Sequence, residues 1–209
     1  MSVASCTDGC IALIYKVIGT GTMAMREWQT GDTVSLLGPL GNGWEMPSKK
    51  LPILAGGGVG IAPINYLHEE LERQGVKHLL IMGARQADEH FLSHAPDKNI
   101  ILTTDDGSTG IKGTVVDGLT QLCEQSTYED AVIYGCGPSA MLTALMSYTN
   151  ERQLPCQLAT EEIMACGIGL CQGCAVEVKT HMAISDRSYR KRIKLACLDG
   201  PVFWAHELV

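Results

Sequence analysis

The middle of the chain alternates between short apolar runs and amphipathic segments. The runs predict buried strands at residues 51–55, 79–83, 99–104 and 131–135. A helix is predicted after the first run, and others over residues 115–122 and from Ser139 onward. Continuous apolar strands that alternate with helices are typical of parallel sheets built from right-handed βαβ units. We therefore predict a doubly wound, nucleotide-type domain over residues 50–155.

The first 45 residues show a different pattern, with strand-like runs separated by glycine-rich turns. Residues 11–18 and 33–37 are the runs. Frequent turn signals favour antiparallel strands. Because two or three strands cannot close a barrel, residues 1–49 are predicted to be an incomplete antiparallel sheet or barrel.

Four cysteines near the C-terminus have the spacing of a metal or redox site. Cys166, Cys171 and Cys174 are followed by Cys197 after 22 intervening residues, which gives C-x4-C-x2-C…C. This is the plant-type [2Fe–2S] spacing, and the intervening glycines allow backbone N–H groups to turn toward sulfur. The alternatives are a four-cysteine zinc site, which usually has two C-x2-C pairs, and reduced core thiols.

Two glycine-containing segments follow predicted strands at the same edge of the predicted sheet. The first reads GGGVGIAP over residues 56–63, where backbone N–H groups and a helix N-terminus suit a diphosphate. Its alternative is an ordinary tight turn, and proline is tolerated in the first helical turn. The second contains Cys136, whose small thiol would pack on a planar ring or be a buried structural cysteine. The candidate NAD-binding residues are Gly56, Gly57, Gly58, Gly60, Pro63, Cys136, Gly137 and Pro138.

Composition and charge argue against several classes of protein. The chain has 209 residues, a net charge of −7 and nine cysteines. The acidic balance argues against nucleic-acid binding, and the basic stretch at residues 187–192 is interpreted as a solvated face. No apolar run approaches the roughly 20 residues of a membrane span, and no signal peptide is recognised. We therefore expect a cytoplasmic protein whose clustered cysteines serve metal or redox chemistry.

The histidines do not suggest a site. His90 and His94 are four residues apart but have no third ligand nearby in the sequence, and the six histidines are interpreted as surface or capping residues. No nucleophilic triad is recognised.

The motifs occur in an order that resembles a known family. Along the chain come GGGVGIAP at 56–63, GAR at 83–85, YGCGPSAM at 134–141, CGIGLCQGC at 166–174 and CLDGPVF at 197–203. Over nearly all its residues, the chain closely resembles the electron-transfer subunits of class 1B dihydroorotate dehydrogenase, within the ferredoxin–NAD(P)⁺ reductase superfamily.

This resemblance implies a fold of three parts and three cofactors. The parts are a partial FAD-binding barrel over 1–49, an NAD-binding domain over 50–155 and a [2Fe–2S] domain over 156–209. The cluster ligands of the family fall on Cys166, Cys171, Cys174 and Cys197, and its flavin contacts fall on Ile14, Tyr15, Lys16, Gly21 and Thr22. The early barrel strands and an Arg-Pro-x-Ser segment of the family are not in this sequence, so a truncated flavin barrel is expected.

The resemblance also implies a function. It implies that an FMN-containing partner oxidises dihydroorotate and that electrons pass through the [2Fe–2S] cluster and FAD to NAD⁺ in pyrimidine (UMP) biosynthesis, within a heterotetramer of two plus two subunits. No side chain of this chain is then expected to act as a catalytic acid, base or nucleophile, because the proton chemistry on dihydroorotate belongs to the partner. The alternatives are the small subunit of a transhydrogenase or sulfide dehydrogenase, and a non-catalytic redox-sensing module if FAD is not bound. The choice between NAD and NADP is left open, because Arg85 is either a phosphate partner or an ordinary surface residue.

Overall fold

The computed structural model describes residues 1–46, 49–125, 130–179 and 192–209. The strands are β1 (Val3–Thr7), β2 (Cys10–Leu13), β3 (Leu51–Gly57), β4 (Leu79–Ala84), β5 (Ile100–Thr104), β6 (Ile111–Lys112), β7 (Ala131–Cys136), β8 (Cys156–Ala159), β9 (Ala175–Glu177), β10 (Ile193–Leu195) and β11 (Val202–Trp204). The helices are α1 (Thr20–Arg26), α2 (Ile61–Arg73), α3 (Val115–Gln125) and α4 (Ser139–Arg152).

The largest sheet has the strand order β11-β8-β7-β3-β4-β5-β6. Its strands pair in parallel except for the edge strand β11, which is antiparallel to β8. Chain order proceeds from β3 through β4 to β6 on one side and resumes with β7 on the other. The topological switch point therefore lies between the carboxyl ends of β3 and β7, where open α/β sheets bind ligands.

Both faces of this sheet are covered by apolar side chains. Leu54 of β3 packs in the cluster that contains the apolar face of α2, whereas Ile53 and Ala55 pack in the cluster formed with α3 and α4. Alternate residues of a strand point to opposite faces, so a strand covered on both sides must be apolar at every position. This requirement explains the continuous apolar runs in the sequence.

The predicted strands and helices of the middle segment are confirmed. The four predicted runs correspond to β3, β4, β5 and β7, and the predicted helices correspond to α2, α3 and α4. The sheet also extends beyond residue 155, because β8 pairs in parallel with β7. The predicted boundary at 155/156 thus falls immediately before a strand of the same sheet.

The N-terminal segment differs from the prediction. Strand β2 ends at Leu13 rather than Ile18, and residues 33–37 are not a strand, so that prediction is wrong. Leu36 and Leu37 are 68% and 70% exposed, which shows that no neighbouring strand among the described residues covers this run. Extended residues with β propensity need a pairing partner to become a strand.

Helix α1 takes the place of a predicted turn. The Thr22 hydroxyl accepts hydrogen bonds from the N–H groups of Ile18 and Gly19, at 2.9 and 3.1 Å. These bonds fix the chain just before the first turn, and the following Met, Ala and Arg residues favour helix. Within residues 1–46 the one buried side chain is Ala4, so this segment has no hydrophobic core of its own.

The β1–β2 hairpin is held on the outer side of α2. Asn65 is 7% exposed, and its Nδ2 donates to the Ala4 carbonyl at 3.0 Å and to Glu69 Oε1 at 3.0 Å. The Ser5 hydroxyl donates to Glu69 Oε2 at 2.6 Å. Polar side chains of α2 therefore hold the hairpin against the nucleotide domain.

Two further sequence predictions concern the surface. In the described parts of the chain, no helix is both long and apolar enough to cross a bilayer. Most of the basic stretch, residues 187–191, lies outside the described residues. Its last member, Arg192, pairs with Glu177 at 2.8 Å.

Candidate functional site

The two glycine segments meet at the switch point. Gly56 and Cys136 are paired neighbours on β3 and β7. A Cβ at Gly60 would collide with the carbonyl group of Cys136 and lie 2.5 Å from the Gly137 nitrogen. The glycine at position 60 therefore allows the turn after β3 to pack directly on the backbone that follows β7. The structure brings together the two segments predicted to bind NAD.

Met141 is a residue of this site that the sequence analysis did not select. A Cβ at Gly57 would lie 2.5 Å from Met141 Sδ, and a Cβ at Gly137 would lie 2.8 Å from the same atom. The methionine, one turn into α4, thus fills the space left by both glycines. In the sequence, the one signal for Met141 was its position at the end of the YGCGPSAM motif.

Gly58 is the exposed glycine of the first segment. Its φ is +54°, in the left-handed region, and a Cβ there would approach only Pro138, at 3.8 Å or more. Gly58 to Gly60 form a short 3₁₀ turn, and Pro63 lies in the first turn of α2. The start of α2 therefore faces an open surface beside Pro138, where an anionic ligand would meet the positive helix end.

Cys136 is suited to packing and not to nucleophilic chemistry. Its side chain is buried, and burial, with a smaller effect of Glu161, raises the pKa of the Cys136 thiol to about 12. The thiol is therefore neutral at physiological pH, whereas a nucleophilic cysteine needs its thiolate.

Arg85 follows β4 at the same sheet edge and is paired within the chain. Its Nη2 and Nε donate to Glu89 Oε1 at 2.6 and 3.2 Å, and its backbone N–H donates to Glu89 Oε2 at 3.0 Å. These hydrogen bonds lower the pKa of Glu89 and raise that of Arg85. The guanidinium predicted as a possible phosphate partner is thus already bound to a carboxylate.

The predicted flavin contacts lie together between β2 and α1. Ile14, Tyr15 and Lys16 form part of the connection, and Gly21 and Thr22 lie in the first turn of α1. The positive charge of Lys16 is close enough to Glu89 to help lower the pKa of Glu89, so this connection lies near the carboxyl end of β4.

The local contacts of this connection leave space for a ligand. A Cβ at Gly21 would meet nothing within 4 Å. The Thr22 hydroxyl is already occupied by the backbone at residues 18 and 19, so it shapes the connection. The residues present fit contact with a flavin along the exposed surface of this connection.

The four cysteines of the C-terminal segment form two pairs. Cys174 Sγ donates to Cys197 Sγ at 3.3 Å, and both residues are buried. The N–H of Cys171 donates to Cys166 Sγ at 3.4 Å, and these two residues are more exposed. Within the described residues, the cysteines do not form a group of three ligand atoms within 4.8 Å. Two pairs of thiols fit two tetrahedral irons better than they fit one zinc ion.

The backbone around the sulfurs supports the negative charge of thiolates. The N–H groups of Cys171 and Ile168 lower the pKa of Cys166 to about 6, and the Gly173 N–H donates to Cys171 Sγ at 3.4 Å. Gly167 and Gly169 have φ of +71° and +78°. A side chain at Gly169 would collide with Leu198. Glycine is therefore needed there for both conformation and space.

The loop before β3 lies against the cysteine segment. The N–H of Asn42 donates to the Gly200 carbonyl at 2.6 Å, and its Nδ2 donates to the Leu198 carbonyl at 2.9 Å. A Cβ at Gly167 would lie 2.9 Å from Leu40 Cδ1. The N-terminal segment that carries the predicted flavin contacts is thus fastened to the loop that carries the predicted cluster ligands.

The same loop is fastened to the sheet by polar contacts that sequence reasoning missed. The Glu45 carbonyl accepts hydrogen bonds from Gln157 Nε2 at 2.7 Å and from the Tyr134 hydroxyl at 3.0 Å. Glu45 N–H in turn donates to Gln157 Oε1 at 2.9 Å. Gln157 is 1% exposed on β8, the strand next to the edge, and a buried polar residue in an apolar run was the signal for this contact.

An apolar surface surrounds the cysteine loop. We call it the cluster-side patch, and its members are Leu40, Ile163, Met164, Ile168, Leu170 and Leu198, with exposures between 43% and 86%. Contiguous exposed apolar residues often mark a surface that binds another protein. The described residues thus place an unpartnered apolar surface next to the predicted electron-carrying group.

Comparison with known proteins identifies relatives of both the C-terminal segment and the whole chain. The family model for the iron-sulfur cluster binding domain of dihydroorotate dehydrogenase B matches residues 161–209. The dihydroorotate dehydrogenase B (NAD(+)) electron transfer subunit of Caldanaerobacter subterraneus is 38% identical over 201 residues, covering 95% of this chain and 75% of that protein. The protein of the same name from Geobacillus kaustophilus is 37% identical over 207 residues, covering 97% and 75%.

A solved structure gives the same result at the level of fold. An NADH-dependent reduced ferredoxin-NADP oxidoreductase, described in connection with flavin-based electron bifurcation, superposes with a TM-score of 0.77. It is 30% identical, and the match covers 93% of this chain and 67% of that one. The chain therefore has a ferredoxin-reductase type of fold, with a parallel sheet and an iron-sulfur segment.

Proposed function

The chain belongs to the family of dihydroorotate dehydrogenase B (NAD⁺) electron transfer subunits, and from that premise we propose how it moves electrons. It takes electrons from an FMN-containing, dihydroorotate-oxidising subunit and delivers them through a [2Fe–2S] cluster and FAD to NAD⁺, in pyrimidine biosynthesis. The observation that carries this proposal is the position of the paired cysteines, between an exposed apolar patch and the N-terminal loop.

The cysteines are proposed as the cluster ligands in two pairs. The more exposed pair, Cys166 and Cys171, would hold one iron, and the buried pair, Cys174 and Cys197, would hold the other. The N–H groups directed at Cys166 and Cys171 stabilise the thiolates and contribute to the cluster potential. The exposed pair faces the cluster-side patch, which suits entry of electrons from a docked partner.

The nucleotide edge is proposed to bind NAD. The turn at Gly58 and the start of α2 receive the diphosphate, while Cys136, Gly137 and Pro138 present a flat surface for the nicotinamide. The connection over residues 14–22 contacts the flavin from the N-terminal side. A flavin exchanges electrons singly with the cluster and as hydride with the nicotinamide.

The cluster-side patch is proposed as the docking surface for the FMN subunit. Close approach is required for electron transfer, and the patch borders the exposed cysteine pair. Leu170 is 78% exposed, so Leu170→Asp should weaken assembly without disturbing the fold. Val76→Asp, at a position that is 37% exposed in the turn after α2, is the matched control and should assemble normally.

One experiment tests the electron path. The subunit is purified with its FMN partner under anaerobic conditions, and dihydroorotate-dependent NAD⁺ reduction is measured for the wild type and Cys171→Ala. We expect the variant to lose this activity and its cluster absorbance, while NADH-driven dye reduction through the flavin persists. Cys10→Ala, which removes another exposed cysteine, should retain the dihydroorotate–NAD⁺ activity, the cluster absorbance and the dye reduction. Full dihydroorotate–NAD⁺ activity in Cys171→Ala would overturn the cluster assignment.

A second candidate function is the small subunit of a ferredoxin-dependent transhydrogenase. The 30% identity to the NADH-dependent ferredoxin-NADP oxidoreductase favours it. The two functions differ in the partner and not in the residues described here. Co-purification and electron transfer with dihydroorotate or with reduced ferredoxin as donor separate them.

A further inference from the structure

A group of potential metal ligands lies far from the cofactor edge. His68 and Glu72 are four residues apart on α2, and His78 lies just before β4. Residues at this spacing project from the same face of a helix. The ligand atoms of the three side chains lie within 4.8 Å of one another. Parallel strands begin at this edge of the sheet, so the group is at the end opposite to the nucleotide site.

The tautomer of His78 is the one that a metal ligand needs. His78 Nδ1 donates to the Val76 carbonyl at 2.7 Å, which leaves the lone pair of Nε2 directed at the other two residues. His68 Nδ1 donates to that Nε2 at 2.7 Å, and Glu72 Oε1 lies 3.8 Å from it, so a bound cation would replace the Nδ1 proton of His68. A hydrogen bond from the second ring nitrogen to a carbonyl is the usual means of fixing the tautomer of a ligating histidine.

Burial differs across the group. The His78 side chain is 3% exposed, while Glu72 is 65% exposed and lies on the solvent side of the group.

We propose that His68, Glu72 and His78 form a Zn²⁺ site that fastens α2 to the start of β4. Two imidazoles and a carboxylate are an established ligand set for zinc, with water as the fourth ligand. Nitrogen ligands at about 2.0–2.1 Å from a tetrahedral ion are about 3.3 Å apart. Zinc binding therefore requires the two rings to separate modestly from their 2.7 Å contact, and the exposed Glu72 side chain to turn inward.

The site would serve structure and not electron transfer. Helix α2 carries the diphosphate-facing turn at one end and this group near the other, and it also holds the N-terminal hairpin through Asn65 and Glu69. An ion at residues 68, 72 and 78 would fix the position of this helix. Zinc has no redox chemistry of its own, so a structural role is the consistent one.

The experiment uses the full chain with its iron-sulfur cluster loaded, so that the four cysteines are occupied. Zn²⁺ is titrated in competition with a chromophoric chelator, and the bound ion is examined by X-ray absorption at the zinc edge. We expect one additional Zn²⁺ per chain with nitrogen and oxygen ligands at about 2.0–2.1 Å. No saturable binding, or sulfur ligands near about 2.3 Å, would overturn the proposal.

Variants identify the ligands. His68→Asn and Glu72→Gln should each weaken Zn²⁺ binding at least about tenfold, the lower limit for loss of even an outer-shell partner. Both positions are partly exposed, so both variants should fold, which unchanged cluster absorbance verifies. Glu151→Gln, at a 75% exposed glutamate of α4, is the control and should bind zinc as the wild type does. Wild-type affinity in His68→Asn would exclude this site.

Discussion

Replacing Gly60 by alanine tests the junction of the two cofactor-facing segments. The φ at Gly60 is −63°, which alanine adopts freely, so the substitution introduces a steric change and no backbone strain. The new Cβ would collide with the Cys136 carbonyl and lie 2.5 Å from the Gly137 nitrogen. Ordinary contacts are about 1 Å longer, so one of the two segments has to move.

The expected magnitude follows from how firmly β7 is held. Cys136 pairs with Gly56 on one side and Ala159 on the other, so the end of β7 cannot shift freely. Overpacking a rigid site costs about 1–3 kcal/mol. For a chain of this size that corresponds to a fall in Tm of about 2–12 °C. Because the displaced turn leads into α2, the Kd for NADH should rise as well.

Thermal unfolding and NADH titration of the flavin-loaded protein measure both effects. Gly75→Ala is the control, since Gly75 has φ +65° and open space around its Cβ position, far from the cofactor edge. We expect Gly75→Ala to lower Tm through backbone strain and leave NADH affinity unchanged. A Gly60→Ala protein with wild-type Tm and wild-type NADH affinity would refute the proposed contact between the two segments.

Three further predictions concern nucleotide choice, the hairpin and the buried thiol. Glu89→Gln should release Arg85 from its carboxylate, so the ratio of NADP⁺ to NAD⁺ activity should rise in steady-state assays. Asn65→Ala should leave the buried Ala4 carbonyl without its donor and lower the free energy of unfolding by about 1–3 kcal/mol, measured by urea denaturation. Burial raises the pKa of Cys136 from 9.0 to about 12, so its contribution to stability should be lost as pH rises from about 9 toward 12. At pH 8.5 the same residue should resist iodoacetamide in the folded protein, as read by mass spectrometry.

Controls separate these specific effects from a general loss of folding. For nucleotide choice, Glu151→Gln removes a different exposed carboxylate and should leave the NADP⁺ ratio unchanged. For the hairpin, a urea midpoint equal to that of the wild type would contradict the role of Asn65. For the thiol, exposed Cys10 should be alkylated under the same conditions, and equal labelling of Cys136 would show that it is accessible.

The parallel sheet could be predicted because its signals are local to each strand. Leu54 and Ile53 are adjacent yet face opposite apolar layers, so burial on both faces is recorded directly in a continuous apolar run. The cysteine spacing is similarly local, since Cys166, Cys171 and Cys174 lie on one loop. The glycines in the segments after β3 and β7 likewise indicated that these two segments approach each other closely.

Other features depend on neighbours that a sequence does not reveal. Residues 33–37 have strand-like composition but no pairing partner among the described residues, and α1 depends on the Thr22 hydroxyl holding the preceding backbone. Met141 fills the space at Gly57 only because β3 lies beside β7, which brings the first glycine segment to the start of α4. The His68, Glu72 and His78 group required α2 and the turn after it to be placed in three dimensions. Although His68 and Glu72 have helical i, i+4 spacing, the third member could not be inferred from that pair.

The central claim is that this chain carries electrons through a [2Fe–2S] cluster held by its four C-terminal cysteines. The most direct measurement is electron paramagnetic resonance of the anaerobically purified, reduced protein, with iron, sulfide, zinc and flavin assayed on the same sample. We predict two irons and two sulfides per chain, one flavin, and a spin signal of one unpaired electron that Cys171→Ala abolishes. Zinc bound at the cysteines of a colourless protein, with no iron and no signal, would contradict the account.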